Sequence, residues 1–486
     1  MFVHYFSQVS TLVRSRARTL GAVSLVAVLA ASVSASYARG AAEPTPGSAG
    51  IGDSYFPADG NGGIDVLHYD VHDEYAFGTG QLSGHTRLKI RATQSLSRFN
   101  LDLLLPVSAV KVDGVRAAFS KPSRHELRIT PRTAVRVGDV FSVVVRYGGK
   151  PGPISYEGER NWLANRKEVV TMNEPHMAPW WFPANDHPAD KATFDIHVTV
   201  PADREVVSNG RPIDRKVRGR QATTHWRAVE PMATYLAFFA AGDFETRTGS
   251  LKGRPWYVAV SKQLPASQRS GLLRLMGKSP SITGWLEKQL GRYPFSTTGG
   301  LVTSLPIDFA LENQTRPTYP AVSPSSTSLV VHELAHQWFG DSVSVRRWSD
   351  IWLNEGFATF MEVRYAETHG GSPGTAWLRD NYGFFGSGDR FWDVRIGAPG
   401  PQRLFDHAVY VRGAMALQAL RNRVGETDFW RILRGWVQQR RHGNGSVADF
   451  RAYAATVSGE DLGSFFTAWL DATARPADTA ANGLGT

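Results

Sequence analysis

Residues 332–362 read HELAHQWFGDSVSVRRWSDIWLNEGFATFME, and the reading of the chain's second half depends on this stretch. Val331 to Trp338 lies in a segment of helical periodicity that Thr327 or Ser328 can N-cap and Gly340 can end. Residues four apart on a helix share a face, so His332 and His336 can aim imidazole nitrogens at a single ion. Glu333 stands about 100° further round than His332, near such an ion without being forced to ligate it. A second helical segment opens at Trp348-Ser-Asp-Ile-Trp-Leu-Asn-Glu355, so that Glu355 follows His336 after eighteen intervening residues. Taken alone, Glu355 is an ordinary helix N-terminal carboxylate facing the dipole. Combined with two histidines it completes a His₂Glu set with an open position, which is the make-up of a catalytic zinc site.

Composition narrows the chemistry further. The 486 residues include no Cys, which excludes disulfides, iron–sulfur clusters and a cysteine nucleophile and leaves His, Asp and Glu as metal donors. Lys and Arg number 54 against 44 Asp and Glu, a net +10, with no basic block beyond short pairs such as Arg440 and Arg441. Nucleic-acid binders concentrate such charge on one face, so no nucleic-acid partner is expected. Arg14, Arg16 and Arg18 precede an apolar stretch from Leu20 to about Val33, and small residues end at Ser36-Tyr37-Ala38. That is the pattern of a secretory signal peptide over residues 1–38, cleaved near Ala38. Its apolar stretch falls short of the roughly 20 residues that span a bilayer, so a secreted protein without a stable membrane anchor is expected.

Residues 39–52 are rich in Ala, Gly, Pro and Ser and read as a flexible linker. From residue 53 to 248, short alternating or β-branched runs such as Phe194-Asp-Ile-His-Val-Thr-Val200 are separated by turn residues such as Asn209-Gly210. This half reads as an antiparallel β domain. Residues 249–470 change character: a strand near Trp256 to Ser261, a helical stretch from about Pro265 to Leu290, then helical periodicity from Ser328 to Leu470. Residues 471–486 read as a disordered tail. The fold class is therefore α+β, a β-rich domain followed by a mainly helical one.

The stretch from His332 to Glu362 closely resembles the zinc core of the aminopeptidase N family, the gluzincin metallopeptidases that include leukotriene A4 hydrolase. The resemblance extends to Gly62-Gly-Ile-Asp-Val-Leu-His-Tyr69, to residues 182–194 and to Met232-Ala-Thr-Tyr-Leu-Ala-Phe238. It implies a saddle-like β domain on a thermolysin-like catalytic domain, one Zn²⁺ per chain held by His332, His336 and Glu355, and Glu333 as general base. Tyr410, in Ala408-Val-Tyr-Val-Arg-Gly-Ala-Met415, matches the family's oxyanion-stabilising tyrosine. Phe309-Ala-Leu-Glu-Asn313 resembles the family's Gly-Ala-Met-Glu-Asn element, which makes Ala310, Glu312 and Asn313 candidate substrate-binding residues. Glu174 matches a second amine-binding carboxylate. The physical logic is that an exopeptidase must recognise a free α-ammonium, a point charge that carboxylates hold.

Phe309 stands where the family usually has Gly, and Leu311 where it has Met; Phe309 is expected to narrow the first substrate pocket. The helical region after Tyr410 is too short for the long C-terminal domain of larger relatives, so a short form is expected. The implied activity is release of N-terminal residues from peptides with a free N-terminus; the oligomeric state is left open, a monomer being favoured. An endopeptidase with the same core, or a peptide-binding module with a retired site, are the alternatives.

Overall fold

The computed structural model describes residues 43–485; the signal-peptide reading of residues 1–38 lies outside the described residues. Strand β1 (Ile64–Ala76), β2 (Gln81–Ala92), β3 (Val107–Val112), β4 (Val115–Arg116), β5 (Val140–Gly149), β6 (Lys191–Pro201), β7 (Arg211–Arg218) and β8 (Gln221–Ala233) form one sheet. Its spatial order is β7-β8-β6-β1-β2-β5-β3-β4. Strand β6 explains why: Ala192, Phe194, Ile196, Val198 and Val200 are buried while the residues between them are not. Each buried Phe, Ile or Val among them contributes about 1.5–3 kcal/mol, so the alternation fixes which face meets the core. The sheet is antiparallel except at its centre, where β6 runs parallel to β1. That pairing joins segments over a hundred residues apart and leaves no mark in the local pattern.

The second half begins with a four-stranded sheet of β9 (Phe244–Leu251), β10 (Arg254–Ser261), β11 (Thr298–Val302) and β12 (Thr318–Tyr319), in that order. The boundary expected at 248 cuts through β9, which pairs with β10 along its whole length. It therefore belongs before Phe244. The helical stretch after β10 is two helices, α1 (Ala266–Met276) and α2 (Ser279–Leu290), followed by α3 (Thr327–Ala335), α4 (Trp352–Thr368), α5 (Gly374–Phe384) and α6 (His407–Gln439). Among the described residues no helix is long and apolar enough to cross a membrane.

Helices α4 and α6 touch backbone to backbone where Gly356 meets Gly413: a Cβ on Gly413 would lie 2.7 Å from the Cα of Gly356. No larger residue fits either position, and the contact fixes Glu355 and Tyr410, which lie one residue and one turn away, relative to each other.

Two segments expected to be disordered are built into the fold. In the linker, Thr45–Pro46 pairs in parallel with the strand Leu96–Asp102, and the Gly47 N–H donates to Arg98 O at 2.8 Å. Asp53, just beyond it, is buried and accepts from the Trp348 N–H at 2.8 Å. In the tail, Leu484 is buried, and the Asn482 carbonyl accepts from the Trp469 indole at 3.1 Å. Gly483 makes that docking feasible: its φ is +68°, and a Cβ there would lie 2.0 Å from Ala419 O. One leucine and one glycine outweigh a composition that otherwise reads as frayed.

Candidate metal centre

Helix α3 is held in place by Val330, Val331, Leu334 and Ala335, all buried. It starts at Thr327 without a side-chain cap, and His336 already sits at its C-cap, with Gly340 following in a positive-φ turn. His332 and His336 lie one turn apart, and their Nε2 atoms are 3.3 and 3.4 Å from the same oxygen, Oε2 of Glu355 on α4. Ligands on a tetrahedron with bonds of about 2.0–2.1 Å stand about 3.3–3.4 Å apart. The spacing is therefore what a zinc-sized ion requires. The outer nitrogens are occupied: His332 Nδ1 donates to Glu362 Oε1 at 2.8 Å and His336 Nδ1 donates to Phe339 O at 3.1 Å. Each ring thus turns its Nε2 inward, the nitrogen that a metal takes from the neutral imidazole.

A second trio, Glu312, Glu333 and His336, also brings donor atoms within 4.8 Å of one another. Charge separates the two sets. Burial alone would raise Glu355, yet His336 and His332 hold its carboxyl down at about 2. Burial pushes Glu333 up to about 8 against the pull of the same two histidines. Glu355 is the carboxylate that stays ionised, as a metal ligand must.

These residues line a cavity of about 510 Å³, whose wall also carries Tyr410, Ala310, Glu312 and Glu174. The sequence-expected residues therefore converge, with one exception. Asn313 is fully buried away from the cavity, its Nδ2 donating to Leu236 O at 3.1 Å. Successive residues of an extended segment point to opposite sides, so with Glu312 facing the cavity Asn313 faces the β domain. Within the Phe309–Asn313 segment, Leu311 forms an isolated antiparallel bridge to Thr318.

The Peptidase family M1 domain matches residues 299–469, and the Peptidase M1 N-terminal domain matches residues 67–236. The crystal structure of the M1 zinc metallopeptidase from Deinococcus radiodurans superposes with a TM-score of 0.76 at 30% identity, covering 87% of this chain and 96% of that one. This chain belongs to peptidase family M1. Among curated M1 relatives, the leucyl aminopeptidase of Saccharolobus solfataricus is 25% identical over 84% of this chain and 53% of its own length. Aminopeptidase N of Lactococcus lactis is 27% identical over 69% of this chain and 43% of its own. The chain spans about half the length of the curated relatives it matches. Zinc is the expected cofactor, and the donor set described above fits it.

The M1 site recruits residues that the sequence reading did not single out. Glu362 follows Glu355 by seven residues, two helical turns, which puts both on one face of α4; that spacing was a usable signal. Gln337, next to His336, clamps the opposite wall: its Nε2 donates to Glu312 O at 3.1 Å and its Oε1 accepts from the Thr315 N–H at 2.7 Å. Phe309 is 38% exposed and Phe405 41%, and both stand on the cavity wall. Only Phe309 was visible beforehand, as a departure from a Gly.

Proposed function

We propose that this protein is an exported zinc aminopeptidase that removes N-terminal residues from peptides. The observation that carries the reading is a pair of buried carboxylates, Glu312 and Glu174, on the wall of the cavity that holds the zinc ligands. Burial raises the Glu174 carboxyl well above its ordinary range, and Glu312, Glu355 and Glu333 raise it further. Burial raises Glu312 as well. Oε1 of Glu174 is buried without a hydrogen-bond partner. Such a cluster calls for a cation, and the α-ammonium of a peptide satisfies it. The Deinococcus radiodurans metallopeptidase, crystallised as a mutant bound to Tyr-Ser-Ala substrate, supports a peptide as the occupant here.

Zinc held by His332, His336 and Glu355 supplies Lewis acidity, polarising a carbonyl and making water acidic near neutral pH. Glu333, whose ionised form the dication favours, takes the proton of the attacking water and delivers it to the departing amine. The Tyr410 ring lies 6.0 Å from that of His332, centroid to centroid. Burial and the carboxylates around it keep its hydroxyl protonated far above neutral pH, so it serves as a donor to the developing oxyanion. Tyr410→Phe is expected to lower kcat by about 10²–10³-fold with KM little changed; an unaltered kcat removes the role.

The reading is tested with matched aminoacyl reporters carrying free or acetylated amines, with and without a chelator. Hydrolysis of the free amine alone, abolished by the chelator, is expected. Internal cleavage of acetylated peptides would instead identify an endopeptidase, and chelator-resistant cleavage would remove the metal from the chemistry.

A further inference from the structure

The register of the large sheet sets four histidines opposite one another on adjacent strands: His85 on β2, His72 on β1, His197 on β6 and His225 on β8. They occupy the face opposite Val71, Ile196 and Val198, which are buried in the core. Neighbouring strands lie about 4.7–4.9 Å apart, so the rings stack, with centroids 4.7, 4.1 and 3.9 Å apart and planes within 16°. Burial and the two neighbouring imidazoles lower His197 to about 4, so its ring offers a free lone pair at neutral pH. Two residues along, Arg87, Asp70, Asp195 and Arg227 form a second row across the same strands.

The two aspartates differ. Asp195 accepts from Arg227 Nε at 2.6 Å and lies 2.5 Å from His225 Nε2, so its charge is already neutralised. Asp70 has imidazole partners only, His72 Nε2 at 2.8 Å and His197 Nε2 at 3.5 Å from its Oδ1. Donor atoms of Asp70, His72 and His197 lie within 4.8 Å of one another, all three residues partly exposed. His72 and His197 open onto a surface hollow of about 410 Å³ through which an ion can enter. None of these residues lines the catalytic cavity.

We propose that His72, His197 and Asp70 form a second metal site, which takes one divalent transition ion of the imidazole-preferring kind, Zn²⁺, Cu²⁺ or Ni²⁺. The ion bridges β1 and β6, the parallel pair at the centre of the sheet. In a chain with no cysteine, a metal cross-link is an available covalent-like staple between segments distant in sequence, and by binding only the folded state it raises stability.

The test uses the full chain with its catalytic zinc in place, equilibrated with micromolar free Zn²⁺ and assayed for metal per chain. A second ion is expected, together with a zinc-dependent rise in Tm. The double variant His72→Gln/His197→Gln is expected to hold a single ion, to lose the rise in Tm and to keep its peptidase kcat. Copper titration adds a spectroscopic reading: nitrogen hyperfine coupling in the parent, absent from the double variant. Should the double variant fail to fold, Asp70→Asn, a near-isosteric change at a partly exposed site, serves in its place. His225→Gln leaves all three ligands and is expected to retain the second ion. A parent protein with one ion per chain, a second ion that persists in the His72/His197 and Asp70 variants, or its loss in His225→Gln overturns the proposal.

Discussion

Glu333→Gln is expected to leave a folded protein that retains zinc and hydrolyses peptides about 10³–10⁴-fold more slowly, at the upper end of what a positioned general base contributes. Gln preserves the shape and the hydrogen-bonding reach of the side chain, and it removes only the ability to take up a proton. The residue is buried on the cavity wall beside His332 and His336, where a water-filled substitute for the carboxylate is not readily accommodated. Metal content separates two outcomes that activity alone would merge. Zinc retained with turnover lost identifies a proton carrier. Zinc lost with turnover would show that the Glu312–Glu333–His336 trio, not the set completed by Glu355, holds the ion. Turnover retained would take Glu333 out of the chemistry.

The zinc set was legible because its spacing is local. The i, i+4 relation of His332 and His336 needs only a helix, and Glu355 needs only the next helix to fold back beside it. Features that depend on long-range register were not. Nothing in Asp195-Ile-His197 or His68-Tyr-Asp-Val-His72 signals that the two segments lie side by side in parallel. Asn313 failed for the opposite reason: its neighbour Glu312 lines the cavity, and alternation along an extended backbone then turns Asn313 away. The tail was misread because composition averages over residues, whereas docking depends on Gly483 and Leu484. The α+β division itself was plain, since periodicity switches from two residues to nearly four along the chain.

Arg316→Met is expected to destabilise the fold by about 3–5 kcal/mol. Arg316 is fully buried, between the halves of the molecule. Its guanidinium donates to the carbonyls of Ser208, Gly210 and Tyr257, the last two at 3.2 Å, and lies over the rings of Trp226 and Tyr257 at 4.7 and 5.0 Å. Met fills much of the volume and leaves three buried carbonyls without a donor, each costing about 1–3 kcal/mol, partly offset by not burying a charge. Burial lowers the Arg316 pKa only to about 10, so the donor is charged throughout the physiological range. Lys supplies one compact head in place of a planar fork and is not expected to rescue the loss. The effect reaches the site through the chain: Arg316 follows Thr315, whose hydroxyl accepts from the Gly210 N–H at 2.8 Å, and Glu312 lies one short turn earlier. The Met variant should therefore show a lower Tm by calorimetry together with a raised KM for free-amine reporters. An unchanged Tm would mean that the two halves are held by their apolar contacts alone. A lowered Tm with an unchanged KM would mean that Gln337, not Arg316, sets the position of Glu312.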